Sequence, residues 1–265
     1  MEGPSLKLAQ EQLQPFARQR VQAVSGNTSI AKERMDGQLV RELFAWGKHL
    51  VLQFDGFALR VHFLLFGTYE ADVAGASVTG DYKRARTPRL TLTFPNGELR
   101  LYNCSVQFIE GDRVKRTYDH TIDILSRTWD PAQALRTLAK RPTEAVGDVL
   151  LDQAVFAGVG NIIRNEVLAL QHLHPLTPIA QLSTAKRKAV IVEARSFSQK
   201  FLRWRRRFEL RKHLIMYGRG TCPYCGGKVS RTNMGRYQRR TFFCPVCQPL
   251  TGQRRPTRSH PSTGS

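Results

Sequence analysis

Four of the chain's five cysteines fall in one late segment, as Cys222-x2-Cys225 and Cys244-x2-Cys247 with 18 residues between the pairs. Few folds accept that spacing. Each Cys-x-x-Cys pair can close on one face of a metal ion, and Pro223 with Gly226-Gly227 supplies a tight turn after the first pair. The intervening stretch, with Gly235 near its middle, reads as a β-hairpin. Four thiolates complete a tetrahedron and leave no position open for water, so the expected ion is one structural zinc per chain. The second pair argues against a redox role for either one. The clustering also fits a reducing compartment better than a disulfide framework. Cys104 stands apart and reads as a small buried residue beside a strand. The hairpin carries Arg231, Arg236, Arg239 and Arg240, which would make it a rigid basic finger.

Charge narrows the partner. Lys and Arg number 41 against 21 Asp and Glu, a formal net charge of +20. A surplus of that size points to a polyanion, because phosphate contacts release counterions. A solubility device or a ribosomal scaffold is the bland alternative. No apolar run is long enough to span a bilayer, and the N-terminus lacks the charged-then-apolar pattern of a secretory signal. A cytoplasmic, nucleoid-associated monomer is therefore expected.

The 265 residues suit two compact domains with a small third module. Leu6, Ala9, Leu13 and Phe16 recur at helical spacing, so a short amphipathic helix follows Pro4. Strands are predicted over 20–24, 39–46, 49–54, 57–66, 89–94 and 98–102. Asp55-Gly56 and Pro95-Asn96-Gly97 make two of the turns. Many short strands with tight hairpins suggest a sandwich or barrel. Helices are predicted over 131–139, 144–157, 161–171 and 184–201. The class is α+β, with domains over 1–115, 116–215 and 216–248 and a disordered basic tail over 249–265. The run Arg203–Lys212 interleaves aromatics with arginines (Arg203, Arg205, Arg206, Arg207) and reads as a rail for a nucleic-acid backbone or as a solvated face.

Residues 150–166, LLDQAVFAGVGNIIRNE, read as helix, sharp glycine turn, helix. Asn161 is the expected N-cap of the second helix. Glycines admit close backbone approach and a helix N-terminus offers unpaired N–H donors, so this element suits a phosphate. Taken alone, a glycine turn between helices is more often simple packing.

These features together resemble the formamidopyrimidine-DNA glycosylase/endonuclease VIII family over nearly all of residues 1–248. Glu2-Gly3-Pro4 resembles the catalytic N-terminus. Lys48 in Trp46-Gly47-Lys48 resembles the lysine of the β-domain hairpin. His62-Phe63-Leu64-Leu65-Phe66-Gly67 resembles the loop that fills the gap left by an everted base. Leu151 to Glu166 resembles the helix–two-turn–helix, and Gln238 to Cys244 resembles the zinc-finger arginine motif. The resemblance implies an N-terminal β-sandwich, a C-terminal helical domain with helix–two-turn–helix and four-cysteine zinc finger, and double-stranded DNA with oxidised bases or abasic sites as partner. It further implies excision of the base and strand cleavage at the abasic site.

One departure bears on the chemistry. The family usually begins Met-Pro-Glu-Gly-Pro and uses the proline amine, whereas this chain reads Met1-Glu2-Gly3-Pro4. Three readings follow: a DNA binder without chemistry, an amine on Glu2 after Met removal, or retained Met1 with its own α-amine in the proline's place. The third is favoured, because Met removal needs a small following residue. An α-amine with pKa near 7.8 is roughly a third neutral at about pH 7.5, whereas a lysine near 10.4 is roughly 0.1% neutral. Met1 is thus the expected nucleophile and Glu2 the general acid/base. Lys48, Asn161 and Arg239 would hold phosphates. Leu64, Leu65 and Phe66 would form the wedge, with burial in the β core as the alternative for Leu64. Val106 stands where the formamidopyrimidine branch carries an arginine two residues before Phe108. That favours the endonuclease VIII branch and oxidised pyrimidines.

Overall fold

The computed structural model describes residues 1–80 and 87–250, so residues 251–265 of the expected tail lie outside the described residues. The described chain is α+β and divides into two compact units. The first comprises Met1–Asp130, Gln153–Gly160 and Ser198–Leu210, and the second comprises Pro131–Asp152, Asn161–Phe197 and the chain from Arg211 onward.

The first unit opens with helix α1 (Gly3–Leu13), which has a proline in its first turn, where a missing N–H costs nothing. Strands β1 (Ala23–Ser25), β2 (Glu42–Trp46), β3 (His49–Gln53), β4 (Phe57–Val73), β5 (Ala76–Thr79), β6 (Leu90–Phe94) and β7 (Gly97–Glu110) form one antiparallel sheet. Its path is β1-β6-β7-β4-β3-β2, with β5 also paired to β4. Two halves share the long strands. β3 pairs with the early part of β4, while β5 pairs with its end and β6 with the start of β7. One apolar cluster joins Leu50, Leu59 and Val61 of the first half, Leu90, Leu92 and Leu101 of the second, and Leu6, Leu13 and Phe16. The expected sandwich is thus built from shared strands around a common core, each buried Leu or Phe contributing about 1.5–3 kcal/mol.

The predicted strand 20–24 is reduced to β1 and an isolated bridge between Arg20 and Leu39. The predicted strands 57–66 and 98–102 are the beginnings of much longer ones. β5 had no period-2 signal because it is largely exposed.

Short helix α2 (Arg113–Thr117) follows the sheet. The second unit contains α3 (Pro131–Ala139), α4 (Val146–Val149), α5 (Asn161–Leu170) and most of α6 (Thr184–Arg206); α7 (Leu210–His213) follows. The predicted helix 144–157 stops at Val149. In the segment beyond it the Gln153 side chain takes the Gly158 N–H at 3.0 Å and donates to the Val159 carbonyl at 3.0 Å, bonding the loop backbone from outside. The hairpin of β8 (Ser230–Met234) and β9 (Arg239–Phe243) supplies the last two strands, on a core of Ala169, Met216, Val229 and Phe242. No helix among the described residues is long and apolar enough to cross a membrane.

Candidate functional site

Three glycines organise the N-terminus. Gly3 N donates to Gly158 O at 2.8 Å, and a Cβ on Gly3 would stand 2.8 Å from Gly158 Cα. Gly47, with φ +53 in the two-residue turn between β2 and β3, packs so that a Cβ would meet Ala157 Cβ at 3.1 Å. Gly158, at φ +100, would meet Gly3 Cα at 3.3 Å. No side chain fits at this junction, so α1, the β2–β3 turn and the Gly158 loop come backbone to backbone. Buried Asp123 holds the turn by accepting the Gly47 N–H at 3.1 Å, and burial raises its carboxyl pKa.

The junction gathers Met1, Glu2, Lys48 and His62. The Met1 amine has its pKa lowered, first by burial and also by Lys48, while Glu2 pulls it up. The His62 pKa is lowered by burial, then by the Met1 amine and Lys48. Glu2 lies directly over Gly160: a Cβ there would be 2.3 Å from both Cγ and Cδ of Glu2. Beside Met1 opens a cavity of about 300 Å³ lined by Ser5, Gln12, Tyr69, Arg205 and Phe208 among others. The Tyr69 hydroxyl donates to Gln12, and burial lowers the Arg205 pKa. Phe208 is 87% exposed at φ +57.

On β4 the ladder with β7 breaks between Phe63 and Thr68. Leu64, Leu65 and Phe66 project there, 46%, 74% and 47% exposed, so Leu64 is outside the β core. Val106 and Phe108 lie in the unbroken part of β7, opposite Val61 and Leu59. Phe108 meets Phe57 edge-on, with centroids 5.3 Å apart.

In the second unit the Sγ atoms of Cys222, Cys225, Cys244 and Cys247 all lie within 4.8 Å of one another. The Cys222–Cys247 and Cys225–Cys244 separations are 3.8 and 3.5 Å. Metal–sulfur bonds of about 2.3 Å at tetrahedral angles need edges near 3.8 Å, so this donor set can hold a metal ion. Asn161 opens α5, and its Nδ2 donates to the Arg240 carbonyl at 2.7 Å. Buried Glu166 accepts the N–H groups of Ile215, Met216 and Tyr217 at 2.8, 2.9 and 2.6 Å. Arg239 and Arg240 are exposed. Arg236 is not part of a free basic face. Its guanidinium reaches Glu144 at 3.2 Å and Asp152 at 3.4 Å, and its N–H meets Asp148 at 3.0 Å.

Residues 121–205 match the family model described as the formamidopyrimidine-DNA glycosylase H2TH domain. The chain is 32% identical over 206 residues to endonuclease 8-like 3 of Mus musculus, covering 76% of this chain and 33% of that one. It is 34% identical over 213 residues to endonuclease 8-like 2 of Bos taurus, covering 77% and 62%. The chain therefore spans from a third to under two thirds of these relatives' lengths. Among solved structures, formamidopyrimidine-DNA glycosylase of Lactococcus lactis, bound to DNA containing an AP site, superposes with a TM-score of 0.80 at 23% identity. That match covers 94% of this chain and 100% of the other.

The chain belongs to the formamidopyrimidine-DNA glycosylase/endonuclease VIII family, on its endonuclease VIII branch.

Within this family member, Met1, Glu2 and Lys48 come together in the first unit, and the Leu64–Phe66 loop belongs to the same unit. Asn161, Arg239 and the four cysteines belong to the second. In the last turn of α6, Arg206 is engaged by Glu11 at 2.6 and 2.9 Å and Arg205 lines the cavity, so these two arginines do not form a continuous exposed rail. Sequence reasoning missed Asp123 and the cavity, and although it placed His62 and Gly160 in motifs it did not bring either to the Met1 site. Gly160 carried a signal in the Gly-Val-Gly turn. The others depend on pairings distant in sequence.

Proposed function

We propose that the protein is a bifunctional DNA glycosylase and AP lyase acting on double-stranded DNA that contains oxidised bases or abasic sites. The observation that carries this reading is the Met1 amine held at the three-glycine junction with Glu2 and Lys48, its pKa depressed by burial. Depression leaves more of the amine neutral near pH 7 than an ordinary α-amine, and only the neutral amine attacks. The Met1 nitrogen adds to C1′ of the damaged nucleotide, the base departs, and a Schiff base links chain and sugar before the strand is cut. Glu2 transfers protons at the sugar. Lys48 stays charged and, with Asn161 and Arg239, grips phosphates. The target base must leave the stack to be reached, and the cavity beside Met1 is where it would enter while Leu64, Leu65 and Phe66 fill the gap.

The four cysteines hold one structural zinc: soft thiolates at tetrahedral spacing suit that ion and leave no position for a reacting water. Val106, standing where the formamidopyrimidine branch carries an arginine, favours oxidised pyrimidines over 8-oxoguanine as preferred lesions. The enzyme acts as a monomer on nucleoid DNA in the cytoplasm.

Borohydride trapping on abasic DNA tests the central step. The expected adduct maps to the peptide that begins at Met1, intact mass shows Met1 present, and an uncleaved N-terminal extension abolishes trapping. Trapping that survives the extension transfers the role to a lysine, with Lys48 first. No adduct with a free Met1 replaces this reading with that of a zinc-stabilised DNA-binding protein.

A further inference from the structure

We propose that Asn103 is the positioning residue of the Leu64–Phe66 wedge, holding it upright from the neighbouring strand. The inference rests on the DNA reading above. β4 and β7 pair without interruption from Phe57 opposite Glu110 to Phe63 opposite Cys104, and pairing resumes at Thr68 opposite Tyr102. Across the break, Leu64 to Gly67 face a single residue of β7, Asn103. Asn103 answers them in two ways. Its backbone takes φ +46, the left-handed region that Asn enters at less cost than other side chains. Its Nδ2 donates to the Leu65 carbonyl at 2.5 Å. The foot of the loop is equally determined, since a Cβ on Gly67 would stand 2.5 Å from the Asn103 carbonyl oxygen.

The bond falls on the residue that needs it. Leu65 is the most exposed of the three apolar side chains. A loop carrying three exposed apolar groups gains by folding down onto the sheet, and a loop free to do so must be reordered when it enters a base stack. Asn103 holds the ordered form before DNA arrives. No second wedge shares the task on β7, because Val106 and Phe108 are in the paired ladder.

The consequence is selective. A wedge is needed only where the departing base leaves a gap in a stacked duplex. Asn103→Gly accepts the positive φ but removes the whole side chain and loosens the backbone, so Asn103→Asp is the sharper test of the amide. Asn103→Asp keeps the shape and replaces the donor by an acceptor. Both are to be compared with the wild type and with Leu65→Ala on one lesion, in duplex and in single-stranded oligonucleotide. The loss of one hydrogen bond predicts a roughly 3- to 10-fold drop in kcat/KM on the duplex, with the single strand unchanged. Wedge insertion is read separately, without catalysis, from 2-aminopurine fluorescence beside an abasic analogue in a duplex. Wild type should brighten the probe, with a smaller rise for both Asn103 variants. Equal brightening by wild type and Asn103→Gly, or equal losses on duplex and single strand, would overturn the proposal. Absent excision by wild type with the fluorescence differences intact would instead remove the catalytic reading and leave this one standing.

Discussion

Lys48 and Glu2 pull the Met1 amine in opposite directions, and this makes the arrangement testable residue by residue. Burial and Lys48 lower its pKa while Glu2 raises it. In the proposed chemistry the neutral amine is the reactive form, so trapping on abasic DNA should rise with pH through a midpoint below 8.0, the ordinary value of this amine. Lys48→Ala removes a lowering influence and should move that midpoint to higher pH. Glu2→Gln removes the raising one and should move it to lower pH. Shifts of the same sign in both variants would show that the two side chains do not act on the amine through their charge. Gly160→Ala makes a second test. The added methyl would overlap the Glu2 side chain, whose far end is flexible and can swing aside. Thermal stability should therefore change little, while base removal falls by at least about tenfold, within the range a displaced general acid/base can cost. An unchanged excision rate would separate Glu2 from the chemistry.

At the scale of the β8–β9 hairpin, arginines that look alike in sequence have different work. Asp148 receives the Arg236 N–H and lies where a Cβ on Gly235 would be, 2.1 Å from its Oδ1, so the turn is seated on α4. Arg236 completes that seat with Glu144 and Asp152, whereas Arg239 is exposed at the start of β9. A phosphate-gripping arginine contributes about one unit to the salt slope of DNA affinity, and an arginine already neutralised by carboxylates contributes little. Arg239→Ala should lower that slope by about one, with a uniform loss of affinity across DNA sequences. Arg236→Ala should leave the slope nearly as it was and raise amide exchange at the hairpin turn. A wild-type slope in Arg239→Ala would mean that this arginine meets no phosphate, and an equal drop in both variants would mean that the carboxylates do not keep Arg236 from one.

At the scale of the whole chain, each unit has its own core, one around the sheet and α1 and the other around Met216, Phe242 and the cysteines. Removing the metal with a chelator should therefore raise hydrogen exchange across 215–248 while the β3, β4 and β7 amides keep their protection. Uniform loss of protection would mean that the two cores unfold as one. The sequence by itself determined the four-cysteine module, the positive charge and the helical and strand character of the long elements. These are properties of local spacing: two Cys-x-x-Cys pairs, apolar residues at helical intervals, Asp55-Gly56 between alternating strands. It also named Met1, Glu2 and Lys48 through their motifs. Tertiary structure alone decided what those residues meet. Gly3, Gly47 and Gly158 converge from three distant segments, and their contact sets the environment that lowers the amine pKa. Arg236 and Arg239 were equivalent until Asp148, far back in the chain, engaged one of them. Helix 144–157 failed for the same reason, since Gln153 bonds the loop backbone and no periodicity records that. Local periodicity reports which face of an element is apolar, whereas burial, pKa and pairing depend on neighbours that only the folded chain supplies.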